Sequence, residues 1–295
     1  MRLNNHLSFW AKQILRYQPP LNEKLTSDEE KRISHYIKLQ NTFSLSKPVK
    51  VNSVSRLKSC NFSYDWYSIF SKSDQSLCNY EWGDVTWDCN EPTFVKSRKI
   101  SKKSYNNILL PLDTYRHFNF HDDHQDIYKK IPNAVWRGAV CQKHRAIFLD
   151  RAESIKYCDV ANTSKDTPQN IFGKSKFFLS ISKQLKSKFI FAIEGNDVAS
   201  NLKWIMASNS IPIMPAPKFE TWFCESMLEP GRHFICVKED FSDISEKIEH
   251  YLNKPKLCEE INEESKNYAS KFFNKDRQYF LASIVAERYF ELQRN

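Results

Sequence analysis

Apolar and polar positions alternate between two periods along this chain, and the clearest switch runs from Phe189 to Met214. Phe189 to Ile193 is an unbroken apolar run, the pattern of a strand buried on both faces of a parallel sheet. Glu194-Gly195-Asn196-Asp197 follows as a turn, because these residues tolerate left-handed backbone or bond their own main chain. Val198 to Ser208 has helical spacing with Val198, Leu202, Ile205 and Met206 on one side, and Ile211 to Met214 is a second apolar run. This strand–helix–strand unit crosses over right-handed and leaves its loop at the carboxyl end of the first strand. In open α/β sheets that edge is where ligands sit, so Glu194, Asn196, Asp197, Ser200 and Asn201 are expected where a phosphorylated ligand would meet a helix N-terminus.

The same reading extends outward. Residues 1–45 show two helical faces, Phe9, Trp10, Ile14 and Leu15, then Ile33, Tyr36, Ile37 and Leu39, separated by Pro19-Pro20. The first face is basic and aromatic and suits either packing within its own domain or a membrane surface. Residues 46–80 carry no strong pattern. Strands are expected at Thr93–Val95 and within Asn107–Leu112. Ala134 to Trp136 reads as a short buried strand with Arg137-Gly138 turning at its end, and a helix starts around Arg145. Cys158 to Val160 reads as a further strand. Residues 164–183 are polar and rich in Ser and Lys, a candidate linker. Phe219, Trp222, Phe223 and Met227 have helical spacing, His233 to Val237 reads as a strand, and helices are expected over Asp240–Tyr251, Leu257–Phe273 and Asp276–Gln293. Alternating strands and helices predict the α/β class.

Composition narrows the chemistry. The 295 residues suffice for two α/β domains, and the net charge of +9 with 44 Lys and Arg favours anionic partners: nucleic acid, an anionic membrane surface or phosphorylated substrates. The basic residues are spread rather than clustered and no RNA- or DNA-binding signature is present, which argues against nucleic acid. Eight cysteines without a CxxC pair suggest reduced thiols and a cytoplasmic protein. No secretory leader and no apolar stretch of the ~20 residues needed to span a bilayer are visible in the sequence. With only five glycines there is no GxGxxG and no GxxxxGK[ST], so a phosphate site must use side chains and helix N-termini. The His- and Asp-rich run His117–Asp123 has no HExxH spacing, and no DxD triplet occurs, so no metal and no cofactor are expected. Arg137 and Arg145 flank one strand end, and arginine's planar fork suits either a bidentate phosphate contact or an ordinary salt bridge. Asp159, at the end of the next strand, could accept from a ribose hydroxyl or cap a helix.

Taken in order, the WRG of Trp136-Arg137-Gly138 followed by Arg145, the strand–EGND–helix unit, ETWF at Glu220–Phe223, LEP-x-x-H ending at His233 and the DFSD helix from Asp240 resemble glycosyltransferase family 90. That family includes bacterial lipopolysaccharide-modifying enzymes, capsule xylosyltransferases and animal protein O-glucosyltransferases, and the likeness is strongest to the bacterial branch. It covers roughly residues 80–275 and is dense from 133 to 245. The resemblance implies a GT-B-like architecture, two Rossmann-like domains with a cleft between them: 1–165 on the acceptor side, 166–275 binding the nucleotide-sugar, and 276–295 as a helix packing back. It implies an inverting, metal-independent transfer from a UDP-sugar to a lipopolysaccharide or other surface-glycan acceptor, by a cytoplasmic protein that can associate peripherally with the anionic inner face of the membrane.

The resemblance places Trp136, Arg137, Gly138 and Arg145 near the donor and its phosphates, Asp159 near the uridine, and Glu194, Gly195, Ser200, Asn201 and Lys203 in the loop and helix that hold the nucleotide. The animal enzymes carry an arginine near Asn201, so here Lys203 or Arg145 would meet the diphosphate. An inverting transfer needs one base for the acceptor hydroxyl and positive charge for the departing diphosphate. The family places an aspartate base in the N-terminal half. Asp84 in GDVT is the best match, with Asp88 and Asp122 as alternatives, and Asp84 equally suits a turn cap after Gly83. Two other readings stand beside this one: a basic nucleic-acid-binding protein, and a nucleotide-sugar-binding relative without catalysis.

Overall fold

The computed structural model describes residues 24–54, 60–169, 175 and 177–294. The expected helix containing Phe9 and Trp10 lies outside the described residues. The chain divides into two compact units, one formed by residues 1–115 with 274–295 and the other by residues 116–273.

In the first unit, helix α1 (Ser27–Tyr36) starts with a capping box in which Thr26 and Glu29 bond each other's backbone N–H. Strands β1 (Val49–Lys50) and β2 (Leu77–Cys78) form an antiparallel ribbon. Helix α2 (Cys60–Ile69) occupies the stretch where the sequence shows no strong period. Strands β3 (Tyr80–Glu81), β4 (Thr93–Val95) and β6 (Asn107–Leu109) make a parallel sheet, with β5 (Ser97–Lys99) following β4. Trp66 of α2 is fully buried against Phe70, Tyr80, Trp82 and Phe94, with ring centroids 4.4–5.9 Å apart. This aromatic cluster gave α2 its place although the helix lacks a polar–apolar stripe, since tertiary burial outweighs periodicity in so short a segment. The short helix α3 (Thr114–His117) spans the boundary between the two units.

The second unit is built on a five-stranded parallel sheet in the order β12-β10-β9-β7-β8. Its members are β7 (Ile131–Gly138), β8 (Cys158–Asn162), β9 (Ser187–Phe191), β10 (Ile211–Met214) and β12 (Ile235–Cys236). Every residue of β9 and β10 is buried, as a sheet covered on both faces requires; β9 begins two residues before the apolar run, at the buried Ser187 and Lys188. Helix α4 (Lys143–Ala152) links β7 to β8, and α6 (Leu202–Met206) links β9 to β10. The short α5 (Ile181–Gln184) precedes β9; β11 (Phe219–Thr221) follows β10; α7 (Ile244–Leu252) and α8 (Pro255–Ser270) complete this unit. Helix α9 (Lys275–Leu292) returns to the first unit. The α/β class with parallel sheets is as expected.

Three local expectations change. Arg137 and Gly138 are the last residues of β7 rather than a turn beyond it, because they pair with Ala161 and Asn162 of β8. The helix expected over Val198–Ser208 contracts to Leu202–Met206. The Asn201 side chain donates to Phe191 O, and the Ser208 hydroxyl bonds Ile205 O, so side chains compete with the backbone at both ends. The helical spacing of Phe219, Trp222, Phe223 and Met227 resolves into β11 and a 3-10 turn at Glu225–Met227. Cys224 sits at φ 54°, a left-handed conformation that no α-helix contains. No helix among the described residues is long and apolar enough to cross a membrane.

Candidate functional site

In the second unit, the connection from β7 runs to β8 on one side of the sheet and that from β9 runs to β10 on the other. Strand order therefore reverses between β7 and β9. Outside the carboxyl ends of such a pair the two diverging crossovers leave a crevice, the usual ligand position in open α/β sheets. The WRG end of β7 and the EGND loop after β9, separated by more than fifty residues in sequence, meet there.

Arg145, in the first turn of α4, joins them. Its Nε and Nη2 donate to Glu194 O and Ile193 O, each at 2.8 Å, and its Nη1 donates to Ala139 O at 3.0 Å. The guanidinium also lies 5.6 Å from the Trp136 ring centroid. Among the described residues no carboxylate pairs with it, and burial lowers its pKa, with the nearby Arg116 charge acting in the same direction. Two further contacts tie α4 to the EGND loop: His144 Nε2 lies 2.8 Å from Glu194 O, and Gln142 Nε2 donates to Asn196 Oδ1 at 2.8 Å. Gln142 and His144 escaped the sequence reading; their position beside Arg145 at a helix start is the signal that could have found them.

Two glycines permit this closeness. A Cβ on Gly138 would fall 2.4 Å from the Trp136 indole, which folds back over it. A Cβ on Gly195 would stand 3.3 Å from the Arg145 guanidinium. Trp136 packs edge-on against Phe148 of α4, and Phe148 against Phe191 of β9, so the aromatic core fixes the strand ends from below.

The first turn of α4 carries Lys143, His144 and Arg145 and no acidic residue. A helix N-terminus already holds a partial positive charge and ordinarily attracts Asp or Glu. The two cations Lys143 and Arg145 at that place make a local positive field suited to an anion.

Glu194 is largely enclosed. Its Oε1 accepts from the backbone N–H groups of Lys218 and Phe219, at 3.0 and 3.1 Å. Burial pushes its carboxyl up to about 7 against the effect of those two bonds, and the Glu225 charge adds to the rise.

The other predicted residues divide. Arg137 Nη2 pairs with Asp159 Oδ1 at 2.7 Å, while its remaining donors reach the carbonyls of Asp159, Trp136 and Phe177. The two residues named separately from the sequence are thus one unit on the β7–β8 edge. Asn201 ties the start of α6 to β9 through its bond to Phe191 O, and Ser200 is half-buried in the turn before it. Lys203 departs from the expected open contact with a diphosphate. It is enclosed, its Nζ donates to Glu225 Oε1 at 2.5 Å, and both side chains are 1% exposed. The residue is enclosed because every residue of the contracted helix is buried.

Of the candidate bases, Asp84 lies in the first unit, where its Oδ1 accepts from the buried Lys96 ammonium. Asp88, in the same unit, accepts from Ser104 Oγ. Asp122 is exposed and lies in the second unit. Among the described residues no group of three His, Cys, Asp or Glu side chains is arranged to hold a metal ion.

Comparison with known proteins covers most of the chain. Residues 114–295 match the profile of glycosyl transferase family 90. The chain is 35% identical over 265 residues to the O-glucosyltransferase LpsA of Dichelobacter nodosus, covering 89% of this chain and 83% of that protein. It is also 26% identical over 128 residues to the uncharacterized protein 179R of Invertebrate iridescent virus 6, covering 41% of this chain and 10% of that protein. The family match spans the reversal point and every element that builds it, and the bacterial likeness extends over most of the sequence, so this chain belongs to glycosyl transferase family 90 and is a glycosyltransferase.

Proposed function

We propose that this enzyme is an inverting, metal-independent transferase of GT-B architecture that moves a sugar from a UDP-sugar to a lipopolysaccharide or other surface-glycan acceptor. Glucose is the first candidate for the sugar, because the bacterial relative is named an O-glucosyltransferase. The observation that carries the reading is the pair of cations Lys143 and Arg145 in the first turn of α4, which holds no acidic residue, at the point where strand order reverses between β7 and β9. A diphosphate is the part of a nucleotide-sugar that such a field would hold.

In this reading the first turn of α4 faces the diphosphate, with Arg145 keeping the two strand-end loops in place. Trp136, Gly138, Gly195, Ser200 and Asn201 shape the nucleotide pocket, and the Arg137–Asp159 pair forms its edge. The acceptor hydroxyl attacks C1 of the sugar from the side opposite UDP. The C1–O bond to the diphosphate breaks, UDP leaves with the electron pair, and the hydroxyl proton passes to a carboxylate base. Configuration at C1 inverts. Asp84 is the proposed base, with Asp88 and Asp122 as alternatives, and the nearby Lys96 holds its carboxylate in place. The lack of a DxD triplet supports a metal-independent reaction in which protein cations meet the leaving group. The net charge of +9 suits a phosphorylated acceptor at an anionic membrane surface.

The test is UDP release from UDP-glucose, UDP-galactose and UDP-xylose with lipopolysaccharide as acceptor, in the presence of a chelator. Release from one of them is expected. UDP binding without release from any would identify a relative without catalysis, and neither binding nor release would overturn the proposal. Asp84→Asn is expected to lower turnover by roughly 10²–10⁴-fold, the usual contribution of a general base, with UDP affinity kept. Undiminished turnover in that variant would move the base to Asp88 or Asp122.

A further inference from the structure

Three loops leave the carboxyl edge of the second unit's sheet side by side: residues 139–142 after β7, 194–201 after β9 and 215–218 after β10. Loops of this kind carry function but are the least rigid part of such a fold, because few of their backbone groups are bonded within the sheet. Something must hold them in register if a nucleotide-sugar is to be met by groups from more than one. Lys203, Asn201 and Arg137 each bond within a narrower region.

Glu194 is different. Its main-chain carbonyl is approached by Arg145 Nε and His144 Nε2, both at 2.8 Å, and Arg145 in turn grips Ala139 O. Its side chain points the other way, and Oε1 receives the N–H groups of Lys218 and Phe219. The side chain thus ties the loop after β10 to the loop after β9, while Arg145, through the Glu194 carbonyl and Ala139 O, ties the loop after β9 to the loop after β7. The groups facing it are the Arg145 and His144 side chains on α4, Lys218 beyond β10, and Glu225 in the turn after β11. A side-chain oxygen that accepts two main-chain N–H groups pins the backbone at both of them.

We propose that Glu194 is a positioning residue for the donor pocket: its side chain ties the loop after β10 to the loop after β9, which Arg145 already holds to the loop after β7, and so completes one rim that sets the affinity for the nucleotide-sugar. This rests on the donor-site reading above, but the rim itself can be tested apart from that reading. The role differs from a direct contact, since the side-chain oxygen that is engaged serves protein N–H groups.

The experiment compares Glu194→Ala and Glu194→Gln with the wild-type chain by amide hydrogen exchange and by calorimetric titration with UDP. In the alanine variant both N–H groups lose their acceptor, whereas the glutamine amide oxygen can still receive them. Exchange at Lys218 and Phe219 is expected to accelerate about tenfold or more in Glu194→Ala, with faster exchange also spreading to 194–197. UDP affinity is expected to fall about tenfold, the loss of roughly one to two hydrogen bonds' worth of ordering, and Glu194→Gln is expected to recover it to within about threefold. Kinetically the alanine variant should raise KM for the donor more than it lowers kcat. Unchanged exchange at Lys218 and Phe219 overturns the tie whether or not UDP binds. Accelerated exchange with unchanged UDP affinity leaves the tie but overturns its role in the pocket, as does a lowered melting temperature with normal affinity. Failure of the wild-type chain to bind UDP would instead count against the donor-site reading, and the exchange result would still decide the tie.

Discussion

Replacing Lys203 by methionine tests how charge is distributed in the second unit. Lys203 and Glu225 are both 1% exposed and 2.5 Å apart, and Thr221 donates to the same carboxylate through its N–H and its hydroxyl. The ammonium additionally lies 5.6 Å from the Phe223 ring centroid. Methionine matches the aliphatic stem and removes the charge, leaving a carboxylate enclosed with only hydrogen bonds to satisfy it. Breaking one side of a buried pair costs about 3–5 kcal/mol, so Lys203→Met is expected to lose stability of that size. At about 2–4 °C per kcal/mol for a protein of this size, the melting temperature should drop by roughly 10 °C. Glu225→Gln strands the ammonium and should cost about as much. The double variant Lys203→Met/Glu225→Gln removes both charges while the amide oxygen still accepts from Thr221, so its net loss should be about 1–2 kcal/mol. The assay is urea unfolding of all four proteins, and the expected signature is a double variant far more stable than the sum of the singles. A loss below about 1 kcal/mol in Lys203→Met, or strictly additive losses, would refute the buried-pair account. If UDP affinity then fell while stability held, the lysine would belong to the diphosphate.

Two further predictions concern the sheet edge. Gly138→Ala places a Cβ where the Trp136 indole lies at 2.4 Å, so the ring must move; a loss of about 1–3 kcal/mol is expected, together with reduced transfer and a change in tryptophan emission, and wild-type emission and activity would contradict it. The second follows from titration. Burial raises Glu194 to about 7 from an ordinary value of 4.5, so the folded state favours the protonated carboxyl. Its stabilising contribution is complete below the unfolded value and is lost as pH rises toward 7. Glu194→Gln should therefore flatten the decline in stability between about pH 4.5 and 7, measured by urea midpoints at several pH values; parallel profiles for the two proteins would exclude the effect. Asp65 in the first unit, raised to about 6 by burial, adds the same sign over a lower range and remains in both proteins.

Much of the second unit was legible in order along the chain. Continuous apolar runs mark β9 and β10 because strands buried on both faces cannot alternate. The long C-terminal helices were visible from their spacing. Short or irregular elements were not. Helix α2 has no clear stripe, and its stability comes from Trp66 packing among aromatics distant in sequence. The 219–227 segment imitated a helix because apolar residues three and four apart also suit a strand followed by a turn, and only the left-handed backbone at Cys224 separates the two.

For the candidate site, residue types and their order along the chain were enough to single out the WRG and EGND segments and to indicate the family. Their meeting depends on strand order, which is nonlocal: the sequence shows that β7 and β9 are strands, but not that they are neighbours whose connections diverge. Partner choice is nonlocal as well. Lys203 and Arg145 are both cations near a loop in the linear chain. In the folded unit one faces the Glu225 carboxylate inside the core, while the other holds three main-chain carbonyls at the sheet edge with no carboxylate partner among the described residues. The sequence alone determined which groups exist and the period of the strongest elements, because those follow from local composition. Tertiary structure alone decided which charges are neutralised by a carboxylate and which bond main-chain carbonyls instead, because that depends on burial and on neighbours brought from elsewhere in the chain.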